Sequence, residues 1–284
     1  MNRLKSIFVL WYPVAVVLIV LSAVVALLTR GPDLVWIGAL LTALPFVGLY
    51  IRATTSRSLA RTSHNLPLLV VITLAGAGLA GYGYWRGGYA AHGAMFAALV
   101  GLGGFFLFDF WYSSFGRRIN ECLDTGKPLP GFTARDLDDN PVRSTDLYGS
   151  PALYMFYRGN WCPFCMAQVR EIAERYRELT ERGVEIVLIS PQPTELTQRV
   201  AGIFSIPVRF WVDPDLAAAR ALGIVSEHGV PAGPLAKTYG QHTVMPTVII
   251  VDAAGRILYT DQTDNYRVRP EPDVFFRVLA ANGL

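Results

Sequence analysis

Cys162 and Cys165, two residues apart, head the side chains of this sequence whose types and spacing allow chemistry. They sit in the stretch Tyr157-Arg158-Gly159-Asn160-Trp161-Cys162-Pro163-Phe164-Cys165. The apolar run before it, Pro151 to Tyr157, reads as a buried strand. The segment after it, Cys162 to Arg182, has strong helical periodicity. Two cysteines at a strand-to-helix junction form a redox dithiol motif. A helix N-terminus offers unpaired N–H groups and the positive end of the dipole, and both favour a thiolate. The thiolate is the species that attacks disulfides and peroxides. The second cysteine, one turn further in, can close an internal disulfide and release the attacked partner.

The elements that must position this pair divide unevenly along the 284 residues. Hydrophobic residues make up 52% and charged residues only 17%, too apolar for an ordinary soluble enzyme. Up to Tyr112 there are seven Lys/Arg against Asp33 and Asp109; from Ser113 onward the charges nearly balance. The net charge of +3 therefore carries no nucleic-acid signature, and no nucleic-acid partner is expected. Three cysteines (Cys122, Cys162, Cys165) are too few for a disulfide framework and suit a catalytic thiol protein.

The apolar stretches predict four transmembrane helices, at about 7–28, 34–51, 66–85 and 89–112, within a membrane region 1–112. Tight turns are expected at Thr29–Asp33 and Arg86–Gly88, and a polar loop at Arg52–Asn65. Arg3, Lys5, Arg52, Arg57, Arg61, Arg117, Arg118 and Lys127 fall on one side and Arg30 and Arg86 on the other. That bias predicts a multi-pass protein of a bacterial inner membrane with both termini cytoplasmic. Gly76, Ala80, Gly93, Ala97 and Gly101 give small-residue spacing for close helix packing. Asp109 is expected to reach headgroups or water near the end of the fourth span. Residues 113–128 read as a juxtamembrane linker, with Arg117 and Arg118 against anionic lipid and Cys122 incidental.

Residues 129–284 read as an α/β domain. Strands are expected at Ala152–Tyr157, Val184–Ser190, Val208–Val212, Val248–Val251 and Ile257–Thr260. Helices are expected at Cys162–Arg182, Thr194–Phe204, Asp215–Leu222 and Pro272–Asn282, with Ser226–Thr243 irregular. The pairs Glu171–Arg175 and Glu178–Arg182 would support the wet face of the first helix. Zinc would require four ligands, and only His228 and His242 are available in this domain, so no metal and no cofactor are expected.

The strand–CxxC–helix order, the Met245-Pro246-Thr247 turn and the closing hairpin and helix resemble the thioredoxin fold. The lead-in Pro130-Gly131-Phe132 and the string Tyr157 to Cys165 are similar to the peroxiredoxin-like (AhpC/TSA, redoxin) family. Ser190-Pro191-Gln192 and Tyr266-Arg267-Val268-Arg269-Pro270 also resemble it. The resemblance implies Cys162 as nucleophile, Cys165 as resolving cysteine and Pro246 as a cis-proline facing the dithiol. Trp161 would shield the thiolate. Arg158 would either lower the thiol pKa or pair with an acid at the sheet edge, and Arg269 would supply a cation that the sequence does not place. Peroxidases of this family carry Thr or Ser three residues before the attacking cysteine; here Gly159 holds that position, which favours disulfide exchange. The sequence thus predicts a four-span α-helical transmembrane bundle followed by a thioredoxin-like α/β domain. The activity expected is membrane-anchored thiol–disulfide exchange, with a thiol peroxidase and a non-catalytic redox sensor as alternatives. The implied partners are protein or small-molecule disulfides or peroxides, a thiol donor such as thioredoxin or glutathione, and membrane lipid.

Overall fold

A computed structural model describes residues 2–55, 60–87 and 91–284. The expected loop cation Arg57, the turn residue Gly88 and the start of the fourth span at 89–90 lie outside the described residues. The chain forms two compact units. One contains residues 7–55, 63–87 and 91–114; the other contains 2–6, 60–62 and 115–284.

Among the described residues, four helices are long and apolar enough to cross a membrane. They are α1 (Asn2–Arg30), α2 (Leu34–Thr55), α3 (Pro67–Gly87) and α4 (His92–Phe106), the last continued by a π-helical segment Leu107–Tyr112. Their inner faces are small or aromatic. A Cβ on Gly38 would stand 2.5 Å from the Ala80 backbone nitrogen and the Gly76 carbonyl, so α2 and α3 approach as closely as glycine permits. Gly93, expected to join that stripe, faces open space. Tyr12, Phe46 and Phe108 pack edge to face, and the Tyr12 hydroxyl donates to the Gly101 carbonyl. Leu18, Leu21, Val25, Leu68, Val71 and Phe96 point outward, an apolar exterior that water does not favour. Asp109 differs from expectation. It is buried, and its carboxylate accepts the Leu66 N–H at 3.3 Å, beside the start of α3. An orphan N–H at a helix start is a better partner for a carboxylate than the apolar surround.

The larger unit is built on a seven-stranded sheet. In chain order the strands are β1 (Thr133–Arg135), β2 (Pro141–Arg143), β3 (Ala152–Phe156), β4 (Glu185–Ser190) and β5 (Arg209–Val212). The two-residue strands β6 (Val225–Ser226) and β7 (Thr243–Val244) pair separately, and β8 (Thr247–Val251) and β9 (Ile257–Asp261) close the sheet. Its spatial order is β2-β1-β5-β4-β3-β8-β9. β3, β4 and β5 run parallel and the outer strands antiparallel. Every residue of β3 and β8 is buried, as expected for central strands covered on both faces. Phe132, Tyr154, Phe156 and Trp211 form an aromatic cluster within the core.

The helices of this unit are α5 (Pro163–Glu174), α6 (Tyr176–Thr180), α7 (Thr194–Phe204), α8 (Ala217–Ala221), α9 (Pro234–Tyr239) and α10 (Pro272–Ala281). The single helix expected over Cys162–Arg182 is broken at Arg175, whose N–H closes a tight turn onto the Ile172 carbonyl. The expected ion pairs are re-partnered. Glu171 takes Arg61, Arg175 takes Glu178 and Asp273, and Arg182 donates to the Leu284 carbonyl. Arg117 is also not a lipid-facing cation. It donates to the Pro246 carbonyl and the Thr247 hydroxyl, and burial draws its pKa down to about 10 against the pull of Asp261 and Asp264. The stretch Ser226–Thr243 contains α9 and is bounded by the β6–β7 ladder, order that its Gly/Pro content hides.

Candidate active site

The parallel register sets Phe156 beside Ile189, so the chain leaving β3 and the chain leaving β4 emerge side by side. Tyr157 extends the ladder by one bond to the Ile189 carbonyl. The chain then turns: Gly159 has φ +143°, and its carbonyl accepts the Cys162 N–H at 3.2 Å. Cys162 is the N-cap of α5 and Pro163 its first residue, a position where the missing N–H costs no helical bond. The Met166 N–H closes the first turn onto the Cys162 carbonyl.

Gln192 fastens this turn from the neighbouring loop. Its Oε1 accepts the Asn160 N–H at 2.7 Å and its Nε2 donates to the hydroxyls of Tyr157 and Thr197. The Tyr239 hydroxyl donates to Asn160 Oδ1, and the Thr243 hydroxyl to the Arg158 carbonyl. The segment expected to be irregular therefore supports the motif. Arg158 is buried; its Nη2 donates to the Gly229 carbonyl, and its guanidinium lies 4.7 Å from the Trp161 ring centre and 5.7 Å from that of Tyr266. Among the described residues it forms no salt bridge, and its charge lowers the pKa of both thiols.

Cys162 and Cys165 are both buried free thiols, while Cys122 is exposed on a 3-10 turn at Glu121–Leu123. Arg269 places Nη2 3.6 Å from Cys165 Sγ, with Nη1 3.4 Å from Gln168 Oε1. Burial pushes the Cys165 thiol up, but the hydrogen bond from Cys162, the Arg269 guanidinium and the backbone and guanidinium of Arg158 outweigh it and bring it down to about 5. Cys162 moves the opposite way, well up, because it donates its proton to Cys165 and is itself buried. Of the two thiols the inner one, Cys165, is therefore the more acidic. Both cations that act on the pair are arginines.

Pro246 departs from expectation. All peptide bonds among the described residues are trans, that of Met245–Pro246 included. The Met245 N–H is engaged by the Ile224 carbonyl at 2.7 Å and the Pro246 carbonyl by Arg117. The trans bond is the intrinsically favoured one, and these partners occupy the groups a cis turn would present to substrate. Gly159 sharpens the second departure. A Cβ there would stand 2.7 Å from Trp161 Nε1, in a backbone region that L-residues avoid. Thr or Ser does not fit this turn as built.

Sequence reasoning missed Gln192 as a site residue and left Arg269 unplaced. The tripeptide Ser190-Pro191-Gln192 was the available signal, because loops at the carboxyl ends of adjacent parallel strands converge. The rings of His228 and His242 lie 5.0 Å apart, tilted by 48°, and His242 Nδ1 is 2.6 Å from Glu227 in the supporting segment.

A strand–dithiol–helix on a central parallel sheet, with a thiolate stabilised by buried guanidiniums, defines a thiol oxidoreductase that acts on disulfides or peroxides. Residues 125–260 match the AhpC/TSA family. The chain is similar to the thiol-disulfide oxidoreductase ResA of Bacillus cereus, with 26% identity over 160 residues, covering 56% of this chain and 79% of that protein. It is similar to the ResA of Halalkalibacterium halodurans at 27% over 113 residues, 37% of this chain and 64% of that protein. Among solved structures, the peroxidoxin BcpB from Mycobacterium tuberculosis matches with a TM-score of 0.47 and 20% identity, covering 56% of this chain and 97% of that one.

Proposed function

We propose that this chain is a membrane-anchored thiol–disulfide oxidoreductase in which residues 1–112 span the membrane, 113–128 connect, and 129–284 carry the chemistry. The observation that carries the reading is the buried Cys162–Cys165 dithiol beside two buried arginines, with Arg269 Nη2 3.6 Å from Cys165 Sγ and a glycine where a peroxide-holding hydroxyl would sit. Cys162, at the N-cap next to Trp161, is the attacking group. As its sulfur bonds to one sulfur of a substrate disulfide, its proton passes to the Cys165 thiolate and the other substrate sulfur leaves as a thiolate. That thiolate takes the proton back from Cys165. Cys165 then attacks Cys162 Sγ, expels the second substrate thiolate and leaves a Cys162–Cys165 disulfide. The substrate gains two electrons, and a donor dithiol restores the pair. Arg158, stacked on Trp161, holds the entrance and contributes positive charge; Pro246 shapes the sheet edge through its bond to Arg117.

A multi-pass arrangement with the N-terminus and the redox domain in the cytoplasm follows from the basic residues that flank one side of the spans. That rule concerns the inserting chain, so the later folding of Arg61 and Arg117 into the redox unit leaves it intact. A thiol donor of the thioredoxin or glutathione type fits that compartment.

The test is reduction of insulin disulfides against thiol-dependent consumption of hydrogen peroxide by the full chain in detergent. Disulfide turnover that disappears in Cys162→Ser, with a mixed disulfide trapped in Cys165→Ser, is expected. Peroxide turnover without disulfide turnover overturns the reading in favour of a peroxidase. Alkaline phosphatase fused after Leu284 is expected to be inactive; activity there reverses the orientation.

A further inference from the structure

Three residues of the connection between α2 and α3, 60–62, are folded into the redox unit. Ala60 is fully buried, and residues 60–62 belong to the same compact unit as the sheet. Their contacts converge on one place. The Thr62 N–H donates to the Arg267 carbonyl at 2.8 Å, and Arg267 Nη1 donates back to the Thr62 hydroxyl at 2.8 Å. Arg61 Nη2 donates to the Pro270 carbonyl at 3.3 Å and pairs with Glu171. Arg267 and Pro270 bracket Arg269, the residue whose Nη2 lies against Cys165 Sγ. Glu171 is on α5, the helix that carries Cys165 and Gln168. Two adjacent loop residues thus tie both ends of the Arg267–Pro270 segment, one of them directly to the dithiol helix.

We propose that Arg61 and Thr62 are positioning residues of the redox site: they fasten the Arg267–Pro270 segment to α5 and so hold the Arg269 guanidinium on the inner sulfur. This rests on the reading of Cys162 and Cys165 as the redox pair. It gives the membrane region a part in the chemistry beyond anchorage, since the chain between two of its apolar helices completes the surroundings of the thiolate. A thioredoxin-like unit cut free at Ser113 would retain both cysteines and all its arginines from Arg117 onward, yet lack the clamp.

The measurement is the thiolate titration of the reduced full chain in detergent, read by ultraviolet thiolate absorbance and by the rate of alkylation against pH. Loosening Arg269 raises the pH at which the first thiolate forms. Arg61→Gln/Thr62→Val is expected to move that midpoint up by about one unit, which is roughly tenfold less thiolate at any pH below it. Thr62→Val alone, which keeps the backbone bond and loses only a hydroxyl, is expected to shift it less in the same direction, and Thr62→Ser to restore it. In an Arg269→Gln background the loop substitutions are expected to add nothing, because they act through that guanidinium. An unchanged midpoint in the double variant overturns the proposal. So does an equal shift with and without Arg269, which would mark a general loss of packing. Should the double variant fail to fold, Thr62→Val with and without Arg269→Gln decides the matter by the same criteria. Absence of a Cys162–Cys165 disulfide after mild oxidation of the unsubstituted chain would instead sink the redox-pair reading, and the titration would still report on the clamp.

Discussion

The turn Tyr157–Cys162 and the segment Asp264–Pro270 both furnish charge to the same two sulfurs, but they are held in opposite ways. The turn is supported by the Ile189 carbonyl, by Gln192 from the loop after β4 and by Thr243 of β7. The segment lies beyond the last strand and is held by residues far away in sequence, Arg61, Thr62 and Gln168. A charge on the turn is therefore fixed by the fold, whereas the charge on the segment depends on a distant clamp. Backbone changes in the turn should damage the site outright, and changes in the segment should tune it.

Gly159→Thr is expected to have the largest effect. Its φ of +143° and the 2.7 Å approach to Trp161 Nε1 leave no room for a branched side chain. Strain of about 1–3 kcal/mol is expected, with displacement of Trp161 and loss of disulfide turnover. Thermal unfolding and an insulin assay check both. Gain of peroxide turnover with an unchanged unfolding temperature would break the argument that this backbone excludes the hydroxyl.

Arg269→Gln comes next and separates the two regions. The inner thiol, down at about 5 with Arg269 in place, should titrate at higher pH without it. The sign for stability follows. A group whose folded pKa is lowered contributes stability that is present above its unfolded value and lost as pH falls through the folded one. Reduced protein should therefore gain stability as pH rises from about 5 toward the ordinary thiol range, and Arg269→Gln should flatten that rise. Denaturant unfolding across this window measures it; an unaltered slope would move the charge elsewhere. Gln192→Ala should cost about 1–3 kcal/mol, because it leaves the Asn160 N–H without its acceptor and the Tyr157 and Thr197 hydroxyls without their donor. Its effect on the thiol titration should be smaller than that of Arg269→Gln, since Gln192 does not touch sulfur.

The same contrast explains what could be read from the chain beforehand. The dithiol, its strand and its helix are local, written in an apolar run followed by Cys-Pro-Phe-Cys, and both central strands and α7 lie where their periodicity puts them. Tertiary partners decided the rest. Arg117 is a loop cation by sequence and an internal one by structure, because Asp261 and Asp264 lie across from it. Glu171 has an apt partner four residues on, yet Arg61 takes it from a remote loop. Asp109 looks like an interfacial acid until the start of α3 comes to rest beside it. Pro246 sits at the expected turn, but whether the bond before it is cis depends on how Met245 and Arg117 are engaged, which no dipeptide encodes.

Arg175→Ala is expected to have the smallest effect and sharpens the comparison for that reason. Arg175 also ties the dithiol helix to the end of the chain, through Asp273 at the start of α10, and it stacks 4.0 Å from the centre of the Phe276 ring. It lies only a short way along the chain from Glu171. This tie is solvated, with the Asp273 side chain 63% exposed and the Glu178 side chain 51% exposed. Water already satisfies such charges, so the pairs should contribute little. The lost stacking adds a comparable amount at this half-buried ring. The Arg61 tie, in contrast, ends at the carbonyl of Pro270, next to Arg269 itself. Arg175→Ala should accordingly lower the unfolding midpoint slightly and leave the thiol titration where it was. A titration shift as large as that of the Arg61 and Thr62 substitutions would show that any tie between α5 and the C-terminal region sets the thiolate, and that the loop has no special place in doing so.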